Sequence, residues 1–375
     1  HTPRREKKLP AAFAVSGLLF PGVSRPVRFP LVPPRRLCYT SYRLWKTALR
    51  AEDWEEKMSR KIVIVNAEKM DYDHRLDFSV VEGEVEIYRD STEREMEARA
   101  QGAEVLVTKE LPVSGELIRR LPESVKIICE AGTGYNNIDL EACKERGIMV
   151  CNVPSYSSQR VAHTVIMMIL NLSSSMVKQQ RMLFEGNHDN FTKRLMVDHR
   201  EVNGKVLGVV GAGHIGMEVI RVAKAMDMEI LAYSRSKRGE VDGIRYVSLE
   251  ELLRESDYIS LHSPLTEETR HMIDGEKLAM MKPTAFLINT ARGALIDEKA
   301  LIKALQDGVI AGAGLDVQEE EPPKEDNPLY TMDNVLLTPH MGWRGLETRQ
   351  RLLDLTAANI KAYMDGNPIN VIVGK

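Results

Sequence analysis

Residues 206–235, VLGVVGAGHIGMEVIRVAKAMDMEILAYSR, limit what this chain can fold into more than any other stretch. An apolar run from Val206 to Val210 meets Gly211, Gly213 and Gly216. An amphipathic segment follows, and a second apolar run, Glu229 to Tyr233, closes the unit. The order is strand, glycine turn, helix, strand. Gly211 suits the tight turn, Gly213 lets backbone N–H groups approach a pyrophosphate, and Gly216 lets the helix lie close on the strand. His214 and Ile215 complete the turn, where the unpaired N–H groups of a helix N-terminus point outward. Glycine-rich turns are common, but two flanking apolar strands at this spacing make the pattern specific for a dinucleotide.

The end of the second strand bears on which nucleotide. An acidic residue about 20 positions on normally accepts the ribose 2′-hydroxyl of NAD. Here that position is Ser234, followed by Arg235, Ser236, Lys237 and Arg238. With cations present and no carboxylate, a 2′-phosphate is the better match, because guanidinium pairs with phosphate in a planar fork. Ser234 and Arg235 are therefore expected to favour NADP(H), with NAD(H) as the other possibility.

A chain of 375 residues, 43% hydrophobic and 28% charged, can build about two domains. A net charge of −3 gives no reason to expect nucleic acid. The four cysteines, Cys38, Cys129, Cys143 and Cys151, have neither C-x-x-C nor disulfide-framework spacing, and no His/Asp/Glu/Cys cluster has metal spacing, so no metal is expected. No apolar stretch approaches the roughly 20 residues that span a bilayer. Residues 1–57 are different material. They hold 12 of the 51 Lys/Arg, 5 of the 54 Asp/Glu and 7 of the 17 prolines, without amphipathic period. The chain begins with His, and Met58 introduces a clean strand, SRKIVIVN. Translated upstream sequence is the first reading of this disordered extension, a transit peptide the second and a secretory signal a distant third. A cytoplasmic protein is expected, or a mitochondrial one on the second reading.

From Met58 onward, short apolar runs alternate with helical spacers: KIVIVN (61–66), EVEIYR (84–89), EVLVTK (104–109), VKIICE (125–130) and IMVCN (148–152). Residues 159–183 read as one long apolar helix. After the glycine unit come YISLHS (258–263), AFLINT (285–290), VIAGAGLDV (309–317) and NVLLTP (334–339), then a helical segment and the apolar tail INVIV. Such alternation predicts α/β architecture with parallel sheets covered by helices. The expected plan is two Rossmann-like domains, with the dinucleotide-binding domain (158–341) inserted into a substrate domain (58–157 plus 342–375).

Three residues stand at the carboxyl ends of predicted strands, where open α/β sheets place their ligands. Arg292 lies in LINTARGALID, Glu321 in GLDVQEEEPP and His340 in LLTPHMGW. Singly, each has a plain structural reading: a sheet-edge cation, a solvated acidic turn, a loop histidine beside proline. Their order and wording, with TGYNNIDLEACKERGI and HSPLTEETRHMI, resemble the D-isomer-specific 2-hydroxyacid dehydrogenase family from about Lys61 to the C-terminus. The resemblance implies reversible hydride transfer between a nicotinamide and a 2-oxo acid. It singles out Glu321 among three glutamates by its place before Pro322, and puts Asp316 close to the nicotinamide.

That reaction needs a hydride at C2, a proton on the oxygen and a hold on the carboxylate. Imidazole titrates near neutrality, so His340 is the expected proton donor, oriented and kept charged by Glu321. Arg292 offers a fork to the carboxylate, and backbone N–H groups of Gly132, Thr133 and Gly134 would take its remaining oxygen. His262, Ser263 and Pro264, with Thr290 and Ala291 beside Arg292, are expected to line the cofactor, while His163 lies in an apolar helix. Within the family, His340 followed by Met-Gly-Trp343 looks most like glycerate dehydrogenases and hydroxypyruvate or glyoxylate reductases. Trp343 would then cover a small pocket, and Lys109 would touch a substrate hydroxyl. The expected partners are a small 2-oxo or 2-hydroxy acid and a second copy of the chain, with neither nucleic acid nor membrane. A 3-phosphoglycerate dehydrogenase is the alternative within the class, although no cationic cluster is dedicated to a phosphate. A co-repressor-like protein that senses NAD is the alternative outside it.

Overall fold

The computed structural model describes residues 60–374, so the extension 1–57 lies outside the described residues. Two sheets organise the chain. The first holds β1 (Lys61–Ile64), β2 (Glu84–Ile87), β3 (Ala103–Thr108), β4 (Ile127–Glu130) and β5 (Met149–Cys151). The second holds β6 (Val206–Val210), β7 (Glu229–Tyr233), β8 (Gly239–Val241), β9 (Ile244–Tyr246), β10 (Tyr258–Leu261), β11 (Phe286–Asn289), β12 (Gly312–Leu315) and β13 (Val335–Leu337). The chain then returns, and β14 (Val371–Val373) pairs antiparallel with β5, giving the order β14-β5-β4-β3-β1-β2. The apolar tail thus supplies an edge strand of the first sheet.

The central strands β3, β4, β6, β10, β11 and β12 are almost wholly buried, as strands of a parallel sheet are when helices cover both faces. The second sheet runs β13-β12-β11-β10-β6-β7-β9-β8 and is parallel except for its β8 edge. Chain order reverses between β1 and β3 in one sheet and between β6 and β10 in the other. Beyond the carboxyl ends of such strands, open sheets keep a crevice for ligands.

Two helices carry the chain between the sheets. α1 (Ser158–Ser173) leaves the first sheet after β5 and buries Val165, Met168 and Ile169 in the core of the second. The return helix (Leu346–Met364) sets Leu352, Leu353 and Ile360 into the core of the first. The insertion expected from sequence is therefore seen. The single helix expected over 159–183 is two: α1 ends at Ser173, and α2 (Met176–Phe184) follows at a bend of 62°. The Ser173 and Ser174 hydroxyls both donate back to the Leu170 carbonyl, at 3.0 and 2.6 Å, and Ser175 adopts φ +49°. Back-bonding serines compete with the helix ladder, so this run of hydroxyls ends the helix that its apolar pattern would continue. Among the described residues no single helix is long and apolar enough to cross a membrane.

The β8–β9 hairpin was not anticipated. Its turn, Asp242-Gly243, takes positive φ at both residues, 54° and 66°, as a two-residue hairpin turn demands. Cys129 and Cys151 are buried on neighbouring strands with their sulfurs 3.2 Å apart.

Candidate active site

The ends of β11, β12 and β13 converge on one cleft. Its volume is about 700 Å³, and its walls include Thr133, Gly134, Tyr156, His262, Thr290, Arg292, Asp316, His340 and Trp343. Just beyond β13, His340 sits at φ +49°, with its N–H bonded to the Asp316 carbonyl at 2.8 Å. Its ring Nδ1 lies 2.7 Å from Glu321 Oε2. The neighbouring glutamates are engaged elsewhere, Glu319 with His271 at 2.7 Å and Glu320 with Lys324 at 3.3 Å. Burial raises the proton affinity of Glu321, but the His340 hydrogen bond and charge outweigh it, leaving the carboxyl below its ordinary value. The Asp316 carboxylate accepts from Thr338 Oγ1 at 2.5 Å and from the N–H groups of Met341 and Gly342, both at 2.8 Å. That clamp holds the loop from which His340 projects.

Across the cleft, Arg292 follows β11 and is exposed. Its Nη1 donates to the Ala291 carbonyl at 2.7 Å, and its Nη2 lies so close over Gly134 that a Cβ there would stand only 2.5 Å away. The loop Gly132-Thr133-Gly134 is pinned by the Thr133 hydroxyl and the Asn152 amide, yet its own N–H groups meet no acceptor among the described residues. Trp343 is buried, edge-on to Tyr156 with ring centroids 6.5 Å apart.

The glycine unit forms the far end of the cleft. α3 (His214–Ala225) begins directly after Gly213. Gly211 holds φ +101° against His262 and Ser263, and a Cβ there would meet their backbone at 2.9 Å. A Cβ on Gly216 would stand 2.2 Å from the Gly211 carbonyl oxygen, whereas one on Gly213 would meet nothing within 4 Å. Gly213 is therefore not needed for packing; it leaves open space in front of the helix N-terminus. His262, hydrogen-bonded to Ser260 at 2.8 Å, is pushed down to about 4 by burial and is neutral at physiological pH.

Residues 166–342 match the model for the NAD binding domain of D-isomer specific 2-hydroxyacid dehydrogenases. The chain is 41% identical over 265 residues to a glyoxylate reductase of Korarchaeum cryptofilum, covering 70% of this chain and 80% of that one. It is 36% identical over 319 residues to a glycerate dehydrogenase of Methylorubrum extorquens, covering 84% of this chain and 99% of that one. The chain belongs to the D-isomer specific 2-hydroxyacid dehydrogenase family. A solved acyclic imino acid reductase in complex with NADPH and D-Arg has a TM-score of 0.75 and 32% identity, over 84% of this chain and 100% of that one. This dehydrogenase is accordingly an NAD(P)-dependent oxidoreductase acting between 2-oxo acids and D-2-hydroxy acids.

The dehydrogenase's residues fit a nicotinamide dinucleotide. Open space at Gly213 faces the free N–H groups of α3, and the buried Thr290 hydroxyl, on the cleft wall, has no protein partner. Beyond β7, the Ser234 carbonyl accepts from Arg238 at 2.6 Å, so Arg238 ties the turn to itself. Arg235 is exposed and 3.7 Å from an equally exposed Glu268.

Lys109 lies differently from expectation. It is buried, ion-paired with Glu110, and its Nζ stands 4.3 Å from the Trp343 ring centroid. The residue that faces the cleft is Glu110, which sequence reasoning passed over. Its position just past β3, at the point where strand order reverses, was the available signal.

Proposed function

We propose that this dehydrogenase reduces a small 2-oxo acid, hydroxypyruvate or glyoxylate, to the D-2-hydroxy acid with NADPH. The observation that carries the reading is the 2.7 Å His340–Glu321 pair facing Arg292 across one cleft. Because Nδ1 is taken by Glu321, Nε2 is the nitrogen left to deliver a proton to the substrate oxygen. Arg292 and the free N–H groups of Gly132, Thr133 and Gly134 hold the carboxylate. When bound, the nicotinamide supplies the hydride that C2 receives. Trp343 and Tyr156 leave space for a small substituent. The relatives named glyoxylate reductase and glycerate dehydrogenase support the same substrate class. A panel of 2-oxo acids with NADPH tests the reading, with hydroxypyruvate and glyoxylate ahead of pyruvate. Turnover confined to 3-phosphohydroxypyruvate overturns it.

NADPH over NADH is supported by a turn that offers Ser234 and Arg235 and no carboxylate between 233 and 238. Replacing Ser234 with Asp sets a carboxylate against the 2′-phosphate, and the kcat/KM ratio is expected to swing toward NADH by more than about tenfold. A wild-type preference for NADH contradicts this part. A second copy of the chain is proposed to cover α2 and the segment after it, where Phe184 is 89% and Phe191 79% exposed. Light scattering should then return twice the mass of the chain, and a monomer contradicts it.

A further inference from the structure

Several carboxylates line the cleft, and all but one have both their place and their partners accounted for. Asp316 clamps the His340 loop, Glu321 holds His340, and Glu319 pairs with His271. Glu110 lines the same cleft as Arg292 and His340, and its Oε2 has no hydrogen-bond partner among the described residues.

Its position is built with care. The Asn66 side chain clamps the main chain of Lys109 from both sides, accepting from its N–H at 2.9 Å and donating to its carbonyl at 2.7 Å. Glu110 then adopts φ +54°, a conformation that L side chains rarely take, and its N–H donates to the buried Glu130 carboxyl at 3.0 Å. Glu130 is fixed in turn by Asn137 at 2.9 Å. The Lys109 ammonium, sealed beneath Trp343, pairs with Glu110 Oε1. Burial would raise the proton affinity of Glu110, but Lys109, with His340 and Arg292, outweighs it and keeps the group ionised.

We infer that Glu110 selects among 2-oxo acids by the charge at C3, accepting a hydroxyl donor and refusing a phosphate or a second carboxylate. This rests on the reading of the cleft given above. Once Arg292 and the glycine loop hold the substrate carboxylate and His340 its oxygen, Glu110 is the charged group left to meet the C3 substituent. An ionised carboxylate accepts from a hydroxyl with about twice the strength of a neutral acceptor. It repels an anion, and the nearby cations are already committed: Lys109 is buried and paired with Glu110, while Arg292 and His340 face the substrate carboxylate and oxygen. Glyoxylate has no C3 and is indifferent to the contact.

The test compares kcat/KM for glyoxylate, hydroxypyruvate and 3-phosphohydroxypyruvate in the wild type, in Glu110→Gln, and in the double variant Lys109→Met/Glu110→Gln. The double variant leaves no buried ammonium without its counter-charge, so it covers the case in which the single one folds poorly. In the wild type hydroxypyruvate should exceed 3-phosphohydroxypyruvate by on the order of a hundredfold. In the variants hydroxypyruvate should fall relative to glyoxylate by about tenfold or more, the range for losing a charged acceptor. The phosphorylated acid should gain on hydroxypyruvate by at least as much. Ratios that stay constant in a variant still reducing glyoxylate overturn the assignment of Glu110, as does an equal loss on all three acids. A wild type that reduces none of the three overturns the substrate reading itself.

Discussion

His340 and Glu321 lie 19 residues apart in sequence, on loops after different strands, and their 2.7 Å contact leaves one ring nitrogen free for the substrate. Substituting His340 with Ala should lower kcat by roughly 10²–10⁴, the range for losing a positioned general acid. Glu321→Gln tests the orienting contact. An amide accepts from the ring N–H with about half the strength of a carboxylate, so the ring is held less firmly and kcat should fall by about tenfold or more while the KM for the 2-oxo acid changes little. An unchanged kcat would separate Glu321 from the proton path.

The turn from β6 into α3 is where one element decides another's packing. Two of its glycines look alike in sequence and do opposite work. A Cβ at residue 216 meets the Gly211 carbonyl at 2.2 Å and Val209 at 3.2 Å, so helix and strand must part. A Cβ at residue 213 meets no protein atom within 4 Å. Gly216→Ala should cost about 1–3 kcal/mol of stability, in line with overpacking, and weaken cofactor binding as well. Gly213→Ala should leave the melting temperature close to wild type while raising the KM for NADPH by about tenfold or more, because it fills the space kept for the diphosphate. Melting curves and cofactor titrations on the two variants separate these outcomes. Equal loss of stability in both would mean that Gly213 is a packing glycine.

Across the whole molecule, Glu130 ties the stability of the first sheet to pH. It is fully buried at the end of β4, and burial pushes its carboxyl up to about 7 despite Lys109, Asn137 and the Glu110 N–H. A carboxyl raised in the folded state binds a proton that the unfolded chain has already released. Its contribution is fully present below the unfolded value of 4.5 and is lost as pH rises through about 7. Glu130→Gln removes the titration. The stability of the variant minus that of the wild type should therefore increase between pH 5 and 8 by roughly 1–3 kcal/mol. A difference that stays flat across that window would show that Glu130 does not titrate there.

Much of this molecule was legible from the chain alone because the signals are local. Strand, glycine turn, helix and strand at residues 206–235 report the period of side chains along one stretch of backbone, and the structure reproduces β6, α3 and β7 at those residues. Arg292, Glu321 and His340 were visible because strand ends place them, and their wording carried the family. Where local signals competed, the pattern misled. Apolar period asked for one helix through Ser173–Ser175, and hydroxyl back-bonding ended it. The Asp242-Gly243 hairpin had a readable turn but strands too short to stand out. Lys109 and Glu110 could not be told apart in sequence, since both follow β3. Which of the two entered the cleft depended on Asn66, Glu130 and Trp343, at distances of 43, 20 and more than 200 residues along the chain. Only tertiary packing could seal the cation and expose the carboxylate, because the cost of burying a charge is set by what surrounds it in space.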